Sequence, residues 1–441
     1  MKRNRGISAG TVLMLALTVV TLGGFFVVAG RLGGSGMDLT QERMSALRLE
    51  KAEQADPGEV RLSDESQSTA AARNAGESQP AGSRTALADE DAAESGGPAE
   101  LVLTFGGTVA AEENIRKSAY SSDSQKYDFS LVMNLLRDVF QGDGSAVFLE
   151  NLLMENAKVS ATVVPAEAAD MLSEAGVTMA AAGFSKVWDK EFAGVLATRQ
   201  ALMNRGVKPL GIHEAETDEP WAMVRSGDLS VAVISFTDML SASAKKAMAK
   251  QGLEYAVADA DSAKISESIQ AARAQGAQAV IVLLNWGKVG GKSPEKAQKA
   301  LAWQIAEAGA DLIIGAGSRV PQAPEWLSVT GTDGSARKVL CAYSLGTLIS
   351  DNRKQINRLS SYVLRVTFRQ EAGGATISDL AYVPTYLWRY RQDGVYYYRC
   401  LAANRTPPDG MDSDQQQNMA KAAEQIAETL KDSSIRVLPQ P

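Results

Sequence analysis

The chain of 441 residues has one histidine, His213, and two cysteines, Cys341 and Cys400. A single imidazole argues against a site built from several histidines, the usual nitrogen ligands of zinc, iron and manganese, and leaves no credible Ser/His/Asp triad. His213 stands in an acidic loop, Gly211–Pro220, where solvation is the plainer reading than metal binding. The cysteines have no CxxC or zinc spacing. One disulfide and two buried thiols are both open readings, and both residues fall in strand-like runs where a free thiol packs well. Excess positive charge is also lacking: the net charge of −7 argues against nucleic acid as the main partner. Gly291-Lys292-Ser293 has the ending of a phosphate loop, but position 286, where the upstream glycine belongs, is Trp. No internal repeat is evident.

Hydrophobic residues make up 45% of the chain, enough for an ordinary core, and the length suggests more than one region. Lys2, Arg3 and Arg5 precede an uncharged stretch, 6–30. Its apolar run of roughly 20 residues is long enough to span a bilayer, and the positive flank keeps the N-terminus in the cytoplasm. Residues 1–31 are therefore expected to form an uncleaved membrane anchor. The rival reading is a signal peptide, for which Val28-Ala29-Gly30 is a poor cleavage site. Either way the remainder is expected outside the cytoplasm. Residues 32–98 are rich in Ala, Gly, Ser, Glu, Asp and Gln and almost lack aromatics, so they bury too little apolar surface to offset ordering. A short amphipathic helix at Leu39–Gln54 and then a flexible tether of roughly 40 residues are expected there.

The globular part is expected at 99–405, with an amphipathic helix and tail at 406–441. Its centre is 278–325. An apolar run, Ala279–Leu284, ends at Asn285-Trp286-Gly287. A Gly/Lys loop, a helix at Pro294–Ala308, a second apolar run at Leu312–Ile314 and a loop with Gly317, Arg319 and Gln322 follow. In such a strand–loop–helix–strand unit the loops after the strands gather at one end of the sheet, where open α/β sheets build their sites. Elsewhere the spacing predicts strands at Leu101–Phe105, Ala146–Leu149, Val177–Ala181 and Val339–Tyr343. It also predicts a hairpin at Trp221–Phe236, four strands between Tyr362 and Arg399, and helices at Phe129–Phe140, Pro165–Ala175 and Asp259–Gln275. The last helix, Ser413–Leu430, reads as opening on a Ser413/Gln416 capping box.

The residue order resembles the CapA-type capsule-synthesis family (poly-γ-glutamate synthesis), which has a metallophosphatase-like fold. Trp286, Gly287, Pro294, Gln298, Ala302, Gly309, Ala310, Asp311, Ile314, Gly315, Val320, Gln322 and Glu325 stand in the family's order. Tyr343, Ser344, Leu345 and Gly346 repeat its Tyr-Ser-Leu-Gly. Asn151, Asp189, Gly194 and Thr198 also match. The resemblance implies a two-sheet α/β sandwich with helices outside. It also implies metal ligands at fixed strand ends, where a divalent cation takes several ligands at about 2 Å. Those positions depart from the family. Gly107 replaces an aspartate and Leu153 an acid. Phe184, Ser185 and Lys186 replace Asn-Asn-His, and Asn285, Gly317 and Arg319 replace histidines. Glu150 is one residue from Leu153's partner motif, on what a strand would make the opposite face.

No metal site of the family's type and no cofactor are therefore expected. In their place Lys186, Lys288, Lys292, Arg319 and Arg353, with Asn285 and Trp286, form a candidate anion site in which fixed cations replace the metal charge. The plain alternative is that these cations are solvated on loops. The expected function is a membrane-anchored, extracytoplasmic protein related to capsule synthesis. It would act as a non-catalytic binding or assembly factor for an anionic envelope polymer, with capsule-synthesis proteins as further partners. The alternative is an enzyme of capsule polymer synthesis or hydrolysis with a non-metal or differently placed site.

Overall fold

The computed structural model describes residues 99–439 except 332, 333, 372, 373 and 393. The anchor and tether expected at 1–98 lie outside the described residues. Among the described residues no helix is long and apolar enough to cross a membrane.

Two sheets form the body. The strands are β1 (Glu100–Val109), β2 (Gly144–Leu149), β3 (Met179–Ala181), β4 (Lys208–Leu210), β5 (Trp221–Ser226), β6 (Leu229–Thr237), β7 (Ala279–Asn285) and β8 (Leu312–Ala316). They continue with β9 (Glu325–Thr330), β10 (Ala336–Ala342), β11 (Thr347–Ile349), β12 (Ser360–Glu371), β13 (Gly374–Gln392), β14 (Val395–Ala402) and β15 (Arg436–Val437). The first sheet has nine strands in the order β14-β13-β12-β1-β2-β3-β4, with β11 beside β1 and β15 beside β13. The second has six, β9-β10-β8-β7-β6-β5. Its centre is parallel and its edges are antiparallel.

The run at Ala279–Leu284 is apolar at every position because both of its faces are covered. Ile281 and Leu283 join Leu103, Phe105, Phe148 and Ile314 in the core between the sheets. Val280, Val282 and Leu284 face Ile265, Ile269 and Ile305, which lie on α5 (Ser262–Ala274) and α6 (Lys296–Glu307). Over the first sheet, Val147 packs with Leu172 and Val195 of α2 (Asp170–Glu174) and α3 (Glu191–Met203). The remaining helices are α1 (Glu113–Ala119), α4 (Ala242–Gln251) and α7 (Ser413–Leu430). The architecture is thus the expected two-sheet α/β sandwich with helices outside.

Three details differ from the sequence reading. Phe129–Phe140 buries the expected residues, Phe129, Met133, Leu136 and Phe140 among them. However, it is a chain of turns with one 3₁₀ turn at Asn134–Leu136. Most of its bonds run from i to i+3, as Val132 N to Phe129 O and Leu136 N to Met133 O, and that spacing buries one face as an α-helix does. Asp412, not Ser413, caps α7: its carboxylate accepts from Gln415 N. Finally, α7 is no appendage. Met419 and Ala422 pack on Tyr386 and Trp388, and Ile426 and Leu430 enter the core between the sheets.

The two thiols are free and buried. Cys341, on β10, packs under the helices of the second sheet, and Cys400, on β14, lies in the outer layer of the first.

Candidate functional site

The loops after β1, β2, β7 and β8 come together through long-range contacts that begin with two glycines. A Cβ on Gly107 would sit 2.3 Å from Gly346 O and 2.7 Å from Ser361 Oγ. Thr108 N donates to Gly346 O at 2.9 Å. Gly317 has φ +102°, and a Cβ there would meet Trp286 O at 2.4 Å and Asn285 Oδ1 at 2.6 Å. At both places the backbone has closed to a distance that only glycine permits.

Arg319 is the cation of this region. Its backbone has φ +58°, unusual for a residue with a side chain, and its carbonyl accepts from Thr347 Oγ1 at 2.8 Å. Three of its five guanidinium N–H groups are engaged. Nε and Nη2 both donate to Glu150 Oε2, Nε at 2.8 Å, and Nη1 donates to Glu112 Oε1 at 2.8 Å. Glu112, between β1 and α1, accepts from Ser350 Oγ at 2.6 Å and Asp351 N at 2.8 Å through its other oxygen. Asp351 in turn accepts from Asn114 N and Nδ2. Four segments distant in sequence are tied by one chain of charge-assisted bonds.

The electrostatics follow from these contacts. Burial pushes the Glu112 carboxyl up, but the Ser350 hydrogen bond and the Arg319 charge outweigh it, and the net direction is down. Asp351 goes up, chiefly by burial and with the Glu112 charge adding to it. Burial disfavours the Arg319 cation, but the Glu150 and Glu112 carboxylates more than offset this and hold it charged.

The description of a bacterial capsule synthesis protein, PGA_cap, fits residues 102–352 of this chain, more than half its length. The chain belongs to the PGA_cap family. No curated protein matches it. Among solved structures it is similar to the calcineurin-like phosphoesterase YfkN from Bacillus subtilis, with 13% identity and a TM-score of 0.36 over 75% of this chain and 99% of that one. It is also similar to a candidate 5'-nucleotidase from Staphylococcus aureus, with 13% identity and a TM-score of 0.36 over 73% of this chain and 58% of that one. Likenesses of that size carry no argument about activity.

The residues of this PGA_cap chain do not fit a metal centre of the kind the resemblance implies. Among the described residues no group of three or more His, Cys, Asp or Glu side chains is placed to hold a metal ion. Leu153 and Phe184 are core residues packed together with Leu152 and Val195. Gly107 and Gly317 have no room for any side chain. Arg319 brings its own positive charge to the two carboxylates that approach it.

The other predicted residues fall into three groups. Lys186, Lys288 and Lys292 are exposed, on the loops after β3 and β7, and among the described residues no carboxylate pairs with them. Arg353 turns to β13, donating to Leu387 O at 3.0 Å and Tyr386 OH at 3.5 Å. No contact brings these four cations to Arg319. The framework residues are structural. Trp286 is fully buried, donates to Tyr343 O at 2.9 Å and stacks on Tyr343. Gln322 Nε2 donates to Gly291 O, and Ser344 Oγ accepts from Gly346 N. Gly287 has φ +76° and lies against the Gln298 amide. Asn151 Oδ1 accepts from Ala111 N at 2.7 Å, pinning the loop after β1, while Asp189 is exposed and accepts weakly from Thr162 Oγ1. Asn285 is buried, and among the described residues no protein hydrogen bond reaches either of its amide atoms.

Glu112, Glu150, Ser350 and Asp351 were not legible as a network. The one signal in the sequence was an acid beside the Asn151-Leu152 motif.

Proposed function

We propose that this PGA_cap member is a non-catalytic binding or assembly factor of capsule synthesis, held at the membrane by residues 1–31 with its globular part outside the cytoplasm. It acts on an anionic envelope polymer by contact. The observation that supports this most is the Arg319 guanidinium held by Glu150 and Glu112. A fixed guanidinium balances the charge of the carboxylates as a metal ion does, yet it supplies no open coordination position and activates no water. The exposed loop lysines Lys186, Lys288 and Lys292 offer the polymer mobile positive charges. The experiment is metal analysis of the full-length protein after loading with manganese, iron and zinc, beside titration with poly-γ-glutamate. Substoichiometric metal, with binding that the Lys186→Ala, Lys288→Ala, Lys292→Ala variant loses, supports the reading. Tightly held stoichiometric metal overturns it.

A second reading, an enzyme of capsule polymer synthesis or hydrolysis with a differently placed site, is favoured by one feature. Glu112 and Asp351 are neighbouring carboxyls shifted in opposite directions, the pattern of an acid–base pair. Polymer cleavage or transfer in chelator, abolished by Asp351→Asn, would establish it.

A further inference from the structure

Beyond the family match, the β13–β14 hairpin gathers Tyr382, Tyr386, Tyr390, Tyr396, Tyr397 and Tyr398, six of the chain's 11 tyrosines. The antiparallel register sets Trp388 opposite Arg399 and Tyr390 opposite Tyr397, so these four share one face. Trp388 and Tyr390 stack with centroids 4.5 Å apart, and Tyr390 and Tyr397 at 5.5 Å. Arg399 Nε donates to the Tyr390 hydroxyl at 3.3 Å. On the other face the Arg389 guanidinium lies 4.5 Å from the Tyr396 ring centre, and that of Arg391 lies 5.7 Å from it. Among the described residues no carboxylate forms an ion pair with Arg389, Arg391 or Arg399. Arg137, Arg205, Arg369, Arg405 and Arg436 each have one. In a chain of net charge −7 Arg399 thus keeps a charge that no carboxylate pairs.

The Tyr390–Tyr397 face and Arg399 form one wall of a surface groove of 330 Å³. Ser118, Tyr120, Asp128 and Leu131 line it as well, and Tyr120 and Leu131 are 43% and 48% exposed. The volume is at the lower end of ligand sites, about 300–1,000 Å³. Flat aromatic faces accept the C–H face of a sugar ring, while tyrosine, serine and aspartate oxygens bond its hydroxyls. Arg399 Nη1 donates to Asn134 Oδ1 at 3.4 Å, and the remaining N–H groups of its guanidinium, which has no ion-pair partner, can take a carboxylate. A poly-acid built on a peptide-like chain satisfies the arginine but has no ring to stack.

We propose that this groove binds an acidic polysaccharide of the polyuronate class, with a pyranose ring laid on Tyr397, whose orientation Tyr390 fixes, and a ring carboxylate on Arg399. The proposal rests on the reading of the protein as a contact factor for an anionic polymer, and it places a glycan contact on the hairpin, apart from the loop lysines. The test is calorimetric titration of the full-length protein with an alginate oligomer, a dextran oligomer of equal length and poly-γ-glutamate. Tyr397→Ala and Arg399→Gln are the variants, with Arg399→Lys keeping charge without the fork. Unchanged melting temperatures establish that the variants fold. The expected result is alginate binding well above dextran, weakened about tenfold or more by Tyr397→Ala and by Arg399→Gln, and insensitive to the triple lysine variant. Alginate binding unaffected by folded hairpin variants overturns the proposal. So does binding of poly-γ-glutamate without alginate, which leaves the polymer-contact reading standing. Binding of none of the three overturns both.

Discussion

Gly107 lies so close to Gly346 that a Cβ on the first would stand 2.3 Å from the carbonyl oxygen of the second. The aspartate that the family resemblance puts at this position is therefore not a side chain that can simply be restored. Gly107→Asp forces β1 and the loop before β11 apart, and overpacking a tight core costs about 1–3 kcal/mol, more where backbone is the obstacle. The expected outcome is a clear drop in the urea midpoint with no gain in metal content. A variant as stable as the parent that retains manganese would show that the loop can reopen.

Arg319 and Glu150 make the most buried ion pair of the strand-end region, with side-chain exposures of 22% and 7%. Removing one partner of such a pair leaves the other charge uncompensated, at a cost of about 3–5 kcal/mol. Arg319→Met is expected to lose stability of that order, judged by denaturant unfolding. Glu150→Gln in the same chain should recover part of it, because the stranded charge is gone. Equal losses in the single and double variants would mean that the pair is solvated and holds little.

How far these features were legible depends on their range along the chain. The run Ala279–Leu284 was read correctly because a strand buried on both faces has no alternation to misread. Glu150 was assigned to the wrong face by the period-two rule, but β2 ends at Leu149, and beyond a strand's end that rule no longer places a side chain. The Arg319 fork read as open because its partners stand 207 and 169 residues away, and no local pattern marks them. Gly107 and Gly317 read as lost ligands. The backbone packed against them shows them as required space.

His213 provides a pH test with little background, since it is the chain's one histidine. Burial lowers its pKa, the Arg199 charge lowers it further, and Asp218 opposes both. The folded imidazole therefore binds its proton below the unfolded value of about 6.5. Its contribution to stability is complete above that value and is lost as the pH falls towards the folded pKa, where the unfolded chain binds more protons. Melting temperature should fall from about pH 7.5 to about pH 5.5, and His213→Gln should reduce that fall. The comparison isolates the imidazole, because every carboxylate is shared by the two proteins. An identical fall in both would assign the effect elsewhere.

The two thiols complete the set. Cys341 and Cys400 are each 0% exposed and belong to separate clusters. Burial raises both pKa values, that of Cys400 to about 12. Reactivity follows the thiolate and its access, so at neutral pH neither residue has the charged form or the path to react. In Ellman titration the native protein is expected to show no fast-reacting thiol, and two are expected to appear on unfolding in guanidinium without reductant. Zero thiols in denaturant would reveal a Cys341–Cys400 disulfide and with it a rearrangement of β10 and β14. One fast thiol in the native state would mean that one of the two clusters opens on the timescale of the reaction.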